Sequence, residues 1–153
     1  MPRAAHPRWC VVKRLLVALD GSPRAPRVLE AATRLAELAG AKLVLYRAIT
    51  VSPDLPRAAL LETDVRLEDF LIANARSSLE QLAQALPASL LEALVTEFAI
   101  PWDGICRVAK QRDVDLVVLG SHGYGAIDRL LGTVAAKVVN HADRNVLVVR
   151  TAL

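Results

Sequence analysis

The chain reads as an α/β domain: an open, doubly wound sheet of five parallel strands with helices on both faces. Three observations predict that class. Short, nearly continuous apolar runs alternate with helical periodicity along the chain, in the order β-α-β-α-β-α-β-α-β. The 153 residues are 54% hydrophobic but only 4% aromatic, so the core must be filled by Leu, Val, Ile and Ala. That filling suits a parallel sheet buried on both faces better than a β-sandwich. Right-handed crossovers then place helices on each side.

Residues 1–10 hold two prolines among mixed polar residues and read as a flexible arm ahead of one domain at 11–153. The first strand spans 11–19, interrupted only by Lys13 and Arg14. Asp20-Gly21 turns the chain into a helix, with Ser22 expected as N-cap and Pro23 at the first helical position. Val28, Ala32, Leu35, Ala36 and Ala39 share one face of that helix, and Gly40 ends it. The second strand is KLVLYRAI at 42–49, followed by a proline-bearing irregular connection at 50–61.

A long helix at 62–86 is expected to bury Leu67, Phe70, Leu71, Ala75, Leu79, Leu82 and Leu86, with Pro87 stopping it. Residues 91–100 alternate in part and read as a third strand near a sheet edge. Pro101 opens a short helix to Gln111, 114–119 is the fourth strand, 133–142 a helix, and 145–150 the fifth strand.

Charge excludes some function classes. The net charge is +3, but Arg3, Arg8, Lys13 and Arg14 all precede the first acid, Asp20. From there fifteen Lys/Arg face sixteen Asp/Glu, so the body is close to neutral. A nucleic-acid face would need clustered cations with exposed aromatics, and none is legible. No apolar stretch reaches the roughly 18–20 residues of a membrane span, so no membrane partner is expected and the cytoplasm is the expected location. Cys10 and Cys106 share no metal spacing, and His6, His122 and His141 are scattered, so reduced thiols and no metal site are expected.

Ligand sites of open α/β sheets lie beyond the carboxyl ends of the strands, where the strand order reverses. Two strand ends carry chemistry there: Asp20-Gly21-Ser22 after the first strand and Gly120-Ser121-His122-Gly123 after the fourth. Glycines let consecutive N–H groups converge on one anion. A helix starting at Gly132-Thr133 adds unpaired N–H groups and its positive dipole end. Asp20 suits the hydroxyls of a ribose. Together they outline a nucleotide. Taken singly, Asp20 reads first as a turn residue bonding its own backbone and Gly132-Thr133 first as a helix cap, while the glycines read equally as a tight loop.

Three stretches, LLVALDGSPRA, GSHGYGAIDRLLGT and AAKVVNHADRNVLVVR, resemble the universal stress protein family in order and spacing, over 14–150. The resemblance implies a sheet of strand order 3-2-1-4-5 and, in one branch, ATP binding through G-x2-G-x9-G-[ST]. Transferred residue by residue, it implies that Asp20 and Gly120 hold the ribose. Gly123, Gly132, Thr133 and Val134 would hold phosphates, adenine would lie against backbone near Arg47, and Ala18 and Leu119 would line the pocket. This chain departs twice: eight residues, not nine, separate Gly123 from Gly132, and Arg47 stands where a small aliphatic residue is usual.

The ligand implied is therefore ATP or AMP, with or without Mg²⁺. A homodimer through the fifth strand, opening at Asn145 and closing at Arg150, is implied as well, since an alternating edge with little charge invites a partner strand. With no positioned nucleophile or paired carboxylates, the expectation is a dimeric regulatory stress-response module, with at most slow ATP hydrolysis. A dimeric interaction protein without nucleotide is the alternative. An adenylating enzyme of the ATP-pyrophosphatase kind would carry an SGGxDS-like loop where this chain has DGSPRA.

Overall fold

Backbone pairing decides which parts of the apolar runs become strands. The computed structural model describes residues 11–50, 64–121 and 131–150. The arm at 1–10, the connection after Thr50, and His122, Gly123, Gly125 and Arg129 lie outside them. β1 (Arg14–Ala18), β2 (Lys42–Ile49), β3 (Leu91–Phe98), β4 (Leu116–Gly120) and β5 (Asn145–Val149) form one parallel sheet in the order β3-β2-β1-β4-β5. Among the described residues the helices are α1 (Ala25–Ala39), α2 (Asp64–Ala83), α3 (Pro101–Gln111) and α4 (Thr133–His141).

Side chains alternate between the faces of a strand, and the apolar runs divide accordingly. Leu15, Val17, Leu43 and Leu45 pack with α1 and α2. Leu16, Val44, Tyr46, Val117 and Leu119 pack with α3 and α4. Leu15, Leu16 and Val17 are fully buried, each contributing about 1.5–3 kcal/mol of hydrophobic stabilisation.

The charged pair that interrupts the first run has a structural use. Asp115 Oδ2 accepts the Lys13 and Arg14 N–H groups at 2.8 and 3.0 Å, tying β1 to the approach of β4. Arg14 Nε reaches Glu92 at 2.8 Å, and its Nη1 donates to the Arg112 carbonyl at 2.7 Å. β1 starts at Arg14, three residues later than expected, because its register with β2 begins at the Arg14–Lys42 pair.

α1 starts later than expected too. Ser22 is not its N-cap: Arg24 is, with no side-chain cap bond, and a proline lies in the first turn. Asp20 Oδ1 accepts the Ser22 N–H at 3.0 Å, Ser22 Oγ accepts the Arg24 N–H at 3.3 Å, and the Ala25 N–H bonds the Ser22 carbonyl at 3.1 Å. Two successive turns thus use the capping groups before the helix begins. Its far end is as expected, with Gly40 left-handed at φ 65° and its N–H on the Ala36 and Glu37 carbonyls.

Two residues expected in helix stripes are exposed. Ala39 faces out, while Ala25, Val28, Leu29, Ala32 and Ala36 are buried. Phe70 is 65% exposed, because α2 buries only a narrow strip centred on Ala75 and Leu79. β3 is an edge strand, as expected, with none of its residues fully buried. Among the described residues no helix is long and apolar enough to cross a membrane.

Candidate functional site

The chain leaves β1 toward β2 and β3 on one side and returns through β4 to β5 on the other, so the strand order reverses beside β1. A hollow of about 640 Å³ opens there, within the usual range of about 300–1,000 Å³ for small-molecule sites. The tips of β1, β2 and β4 form its floor. α1 and α4 begin at its rim, α2 supplies Leu71, Asn74 and Ala75, and α3 supplies Pro101 and Ile105. Of the residues expected from sequence, Ala18, Asp20, Arg47, Leu119, Gly120, Gly132, Thr133 and Val134 all line it. Gly123 lies outside the described residues.

Asp20 is exposed at the rim. Its Oδ1 makes the turn bond to Ser22, so the turn reading of this residue is realised. A carboxylate has about four acceptor sites, so one such bond leaves capacity for ligand hydroxyls.

The two ends of the glycine loop meet. The Gly132 N–H donates to the Ser121 carbonyl and the Ser121 N–H to Val149, both at 2.8 Å. Gly132 is therefore a loop-closing residue whose own amide is in use. It is also the N-cap of α4, in extended conformation and with no side-chain cap. The first intrahelical bond runs from the Ala136 N–H to the Gly132 carbonyl at 2.9 Å. Thr133, Val134 and Ala135 thus have no intrahelical acceptor for their N–H groups, at the positive end of the helix and on the wall of the hollow.

The third polar surface is the backbone at the end of β2, where the family resemblance put the adenine, near Arg47. The Tyr46 carbonyl accepts the Leu19 N–H at 2.9 Å, so even-numbered residues of β2 turn their backbone groups toward β1. The Ile49 carbonyl accepts the Ala99 N–H at 3.3 Å, so odd-numbered residues, Arg47 among them, turn theirs toward β3. β1 ends at Ala18 while β2 continues to Ile49. The Ala48 N–H and C=O therefore face the hollow, and among the described residues neither has a backbone partner. A donor beside an acceptor on one strand edge matches a heterocycle carrying the reverse pair, such as N1 and the 6-amino group of adenine.

Arg47 keeps its side chain on the hollow's wall, half-buried, on the face that carries α2. With Arg24 it gives the described wall two cations against the single carboxylate of Asp20. The charge suits an anion. The resemblance pointed to backbone near Arg47, and the strand edge that lines the hollow beside it belongs to Ala48.

Beneath the β2 tip, the Tyr46 hydroxyl donates to Glu97 Oε1 at 3.0 Å. Burial, reinforced by that bond to Glu97, pushes its pKa well above the usual tyrosine value. Arg107 Nη2 donates to the same carboxylate oxygen. On the neighbouring surface, burial and then Asp103 and Asp143 raise the Cys106 thiol.

The universal stress protein family model matches residues 12–150. Universal stress protein A homolog 2 of Coxiella burnetii is 32% identical over 139 residues, covering 90% of this chain and 94% of that one. The structure of universal stress protein UspA from Lactobacillus plantarum superposes with a TM-score of 0.77 at 29% identity, covering 92% of this chain and 99% of that one. A universal stress protein solved in complex with cAMP superposes with a TM-score of 0.63 at 26% identity, covering 93% and 99%.

Proposed function

This chain belongs to the universal stress protein family, and on that premise we propose that it binds an adenine nucleotide, ATP or AMP, as a dimeric regulatory module of the cytoplasmic stress response. The observation that carries the reading is the hollow at the reversal of strand order, with its three polar surfaces. The Ala48 edge takes the base, Asp20 with Gly120 the ribose, and the open amides of Thr133 and Val134 the phosphate, helped by Gly123. Ala18 and Leu119 supply apolar contact, Gly132 closes the loop, and Arg47 flanks the base. That a relative was solved in complex with cAMP supports a nucleotide as the class of ligand. Mg²⁺ accompanies the triphosphate if that is the ligand, and the pairing of β5 edges around a two-fold axis makes the dimer.

The test is equilibrium binding of a fluorescent ATP analogue, with AMP as competitor, to the wild type, Gly123→Val and Asp20→Ala. Binding by the wild type that both substitutions weaken supports the reading. Equal binding by all three, or none by any, overturns it and leaves a dimeric interaction protein of the same fold. Mass spectrometry of small molecules released from freshly purified protein separates ATP from AMP.

A further inference from the structure

Among the described residues, the edge of β2 that faces the hollow is supported on one side only. Beyond Tyr46, β1 no longer pairs with it, and Ala48 is held by its register with Glu97 of β3. The side chain of that same Glu97 receives two donors: the Tyr46 hydroxyl from β2 and the Arg107 guanidinium from α3. One carboxylate thus ties β2, β3 and α3 together directly opposite Ala48.

The geometry points to a specific use of the hydroxyl. Tyr46 is 1% exposed and lies on the same face of β2 as Ala48, two residues before it. An apolar side chain would fill that space without the cost of desolvating a hydroxyl. The hydroxyl also imposes a glycine on α3: a Cβ at Gly104 would lie 1.9 Å from it and 3.0 Å from the Ala99 Cβ. The chain keeps a polar group in its core and a glycine inside a helix to accommodate it, each unfavourable alone.

Resting on the nucleotide reading above, we propose that Tyr46 is a positioning residue for base recognition. Through Glu97 and Arg107 it holds the Ala48 N–H and C=O at the spacing an adenine edge requires. Tyr46 touches no phosphate and no ribose in this scheme, so its effect is confined to the base.

The test compares AMP with purine riboside 5′-monophosphate, which lacks the 6-amino group that donates to the Ala48 carbonyl. Both are titrated calorimetrically into the full-length wild type, Tyr46→Phe, Gly104→Ala and the double variant. The wild type is expected to prefer AMP. Tyr46→Phe is expected to weaken AMP about tenfold, the equivalent of one well-placed hydrogen bond, and to weaken the purine analogue, which keeps only the bond from the Ala48 N–H to N1, by clearly less. Gly104→Ala should lower the melting temperature and the preference together. Adding Tyr46→Phe should restore part of the melting temperature, because the 1.9 Å clash is gone while contacts of 3.0 and 3.1 Å to Ala99 Cβ and the ring remain, but not the preference. A residue that served stability alone would weaken both nucleotides in proportion or neither, and either result overturns the proposal. Preference retained in Tyr46→Phe, or no preference in a wild type that binds AMP, also overturns it. A wild type that binds neither nucleotide overturns the underlying reading instead.

Discussion

Replacing Asp20 by Asn separates the two jobs assigned to this carboxylate. The Asn side-chain oxygen can still accept the Ser22 N–H, so the turn that leads into α1 survives. The second carboxylate oxygen becomes an NH₂ donor, and one charge-assisted bond to a ribose hydroxyl is lost. Hydrogen bonds to charged groups contribute about 1.5–3 kcal/mol, which corresponds to a roughly 10- to 150-fold loss of affinity. Asp20 is exposed in the free protein, so solvent screening places the effect toward the lower end. The assay is calorimetric titration of AMP and 2′,3′-dideoxy-AMP into both proteins, with thermal melts alongside. The wild type should bind AMP at least tenfold tighter than the dideoxy analogue, whereas Asp20→Asn should barely distinguish them, at an unchanged melting temperature. If Asp20→Asn loses the same factor for both ligands, or loses nothing, the carboxylate is a turn residue only and the ribose assignment is wrong.

Two further outcomes are expected. Leu147 lies on the edge strand β5 and is 38% exposed, so Leu147→Lys should shift a β5-paired dimer toward monomer without unfolding it; light scattering at matched concentrations reads the mass, and an unchanged dimer would mean another interface. The raised pKa of Tyr46 means that the folded state holds its proton more tightly than the unfolded state, so its contribution is complete below the ordinary value of 10.0 and is lost as pH rises above it. Urea unfolding from pH 8 to 11 should show stability falling above pH 10, and Tyr46→Phe should flatten that part of the fall.

The division between sequence and structure follows the range of the interactions. Order and type of elements were legible because they depend on local period and punctuation: β2 at 42–49 and α3 at 101–111 fall where the sequence placed them. Strand order came through resemblance, since parallel pairing leaves little local trace. The misses share one cause. Ser22 had the chemistry of an N-cap, but the neighbouring Asp20 and Arg24 used its groups first. Phe70 had the spacing of a core residue, but how wide a strip α2 buries is set by the sheet beneath it.

The site divides in the same way. Asp20, Gly120 and Gly132-Thr133 were visible because strand-turn-helix punctuation announces them. The role proposed for Ala48 was not, because it depends on β1 ending three residues before β2, a difference that appears only when the two strands pair. Nor was the contact among Tyr46, Glu97 and Arg107, whose first two members are separated by 51 positions.

By itself the sequence determined an aliphatic α/β chain with an acid at one strand tip and bare amides near another, because hydrophobic period and glycine placement act over a few residues. Only the tertiary structure decided which amides lack an intrahelical acceptor, how far β2 runs past β1, and which buried side chains brace that edge. Those are outcomes of hydrogen-bond competition and packing between segments that meet only when the sheet has assembled.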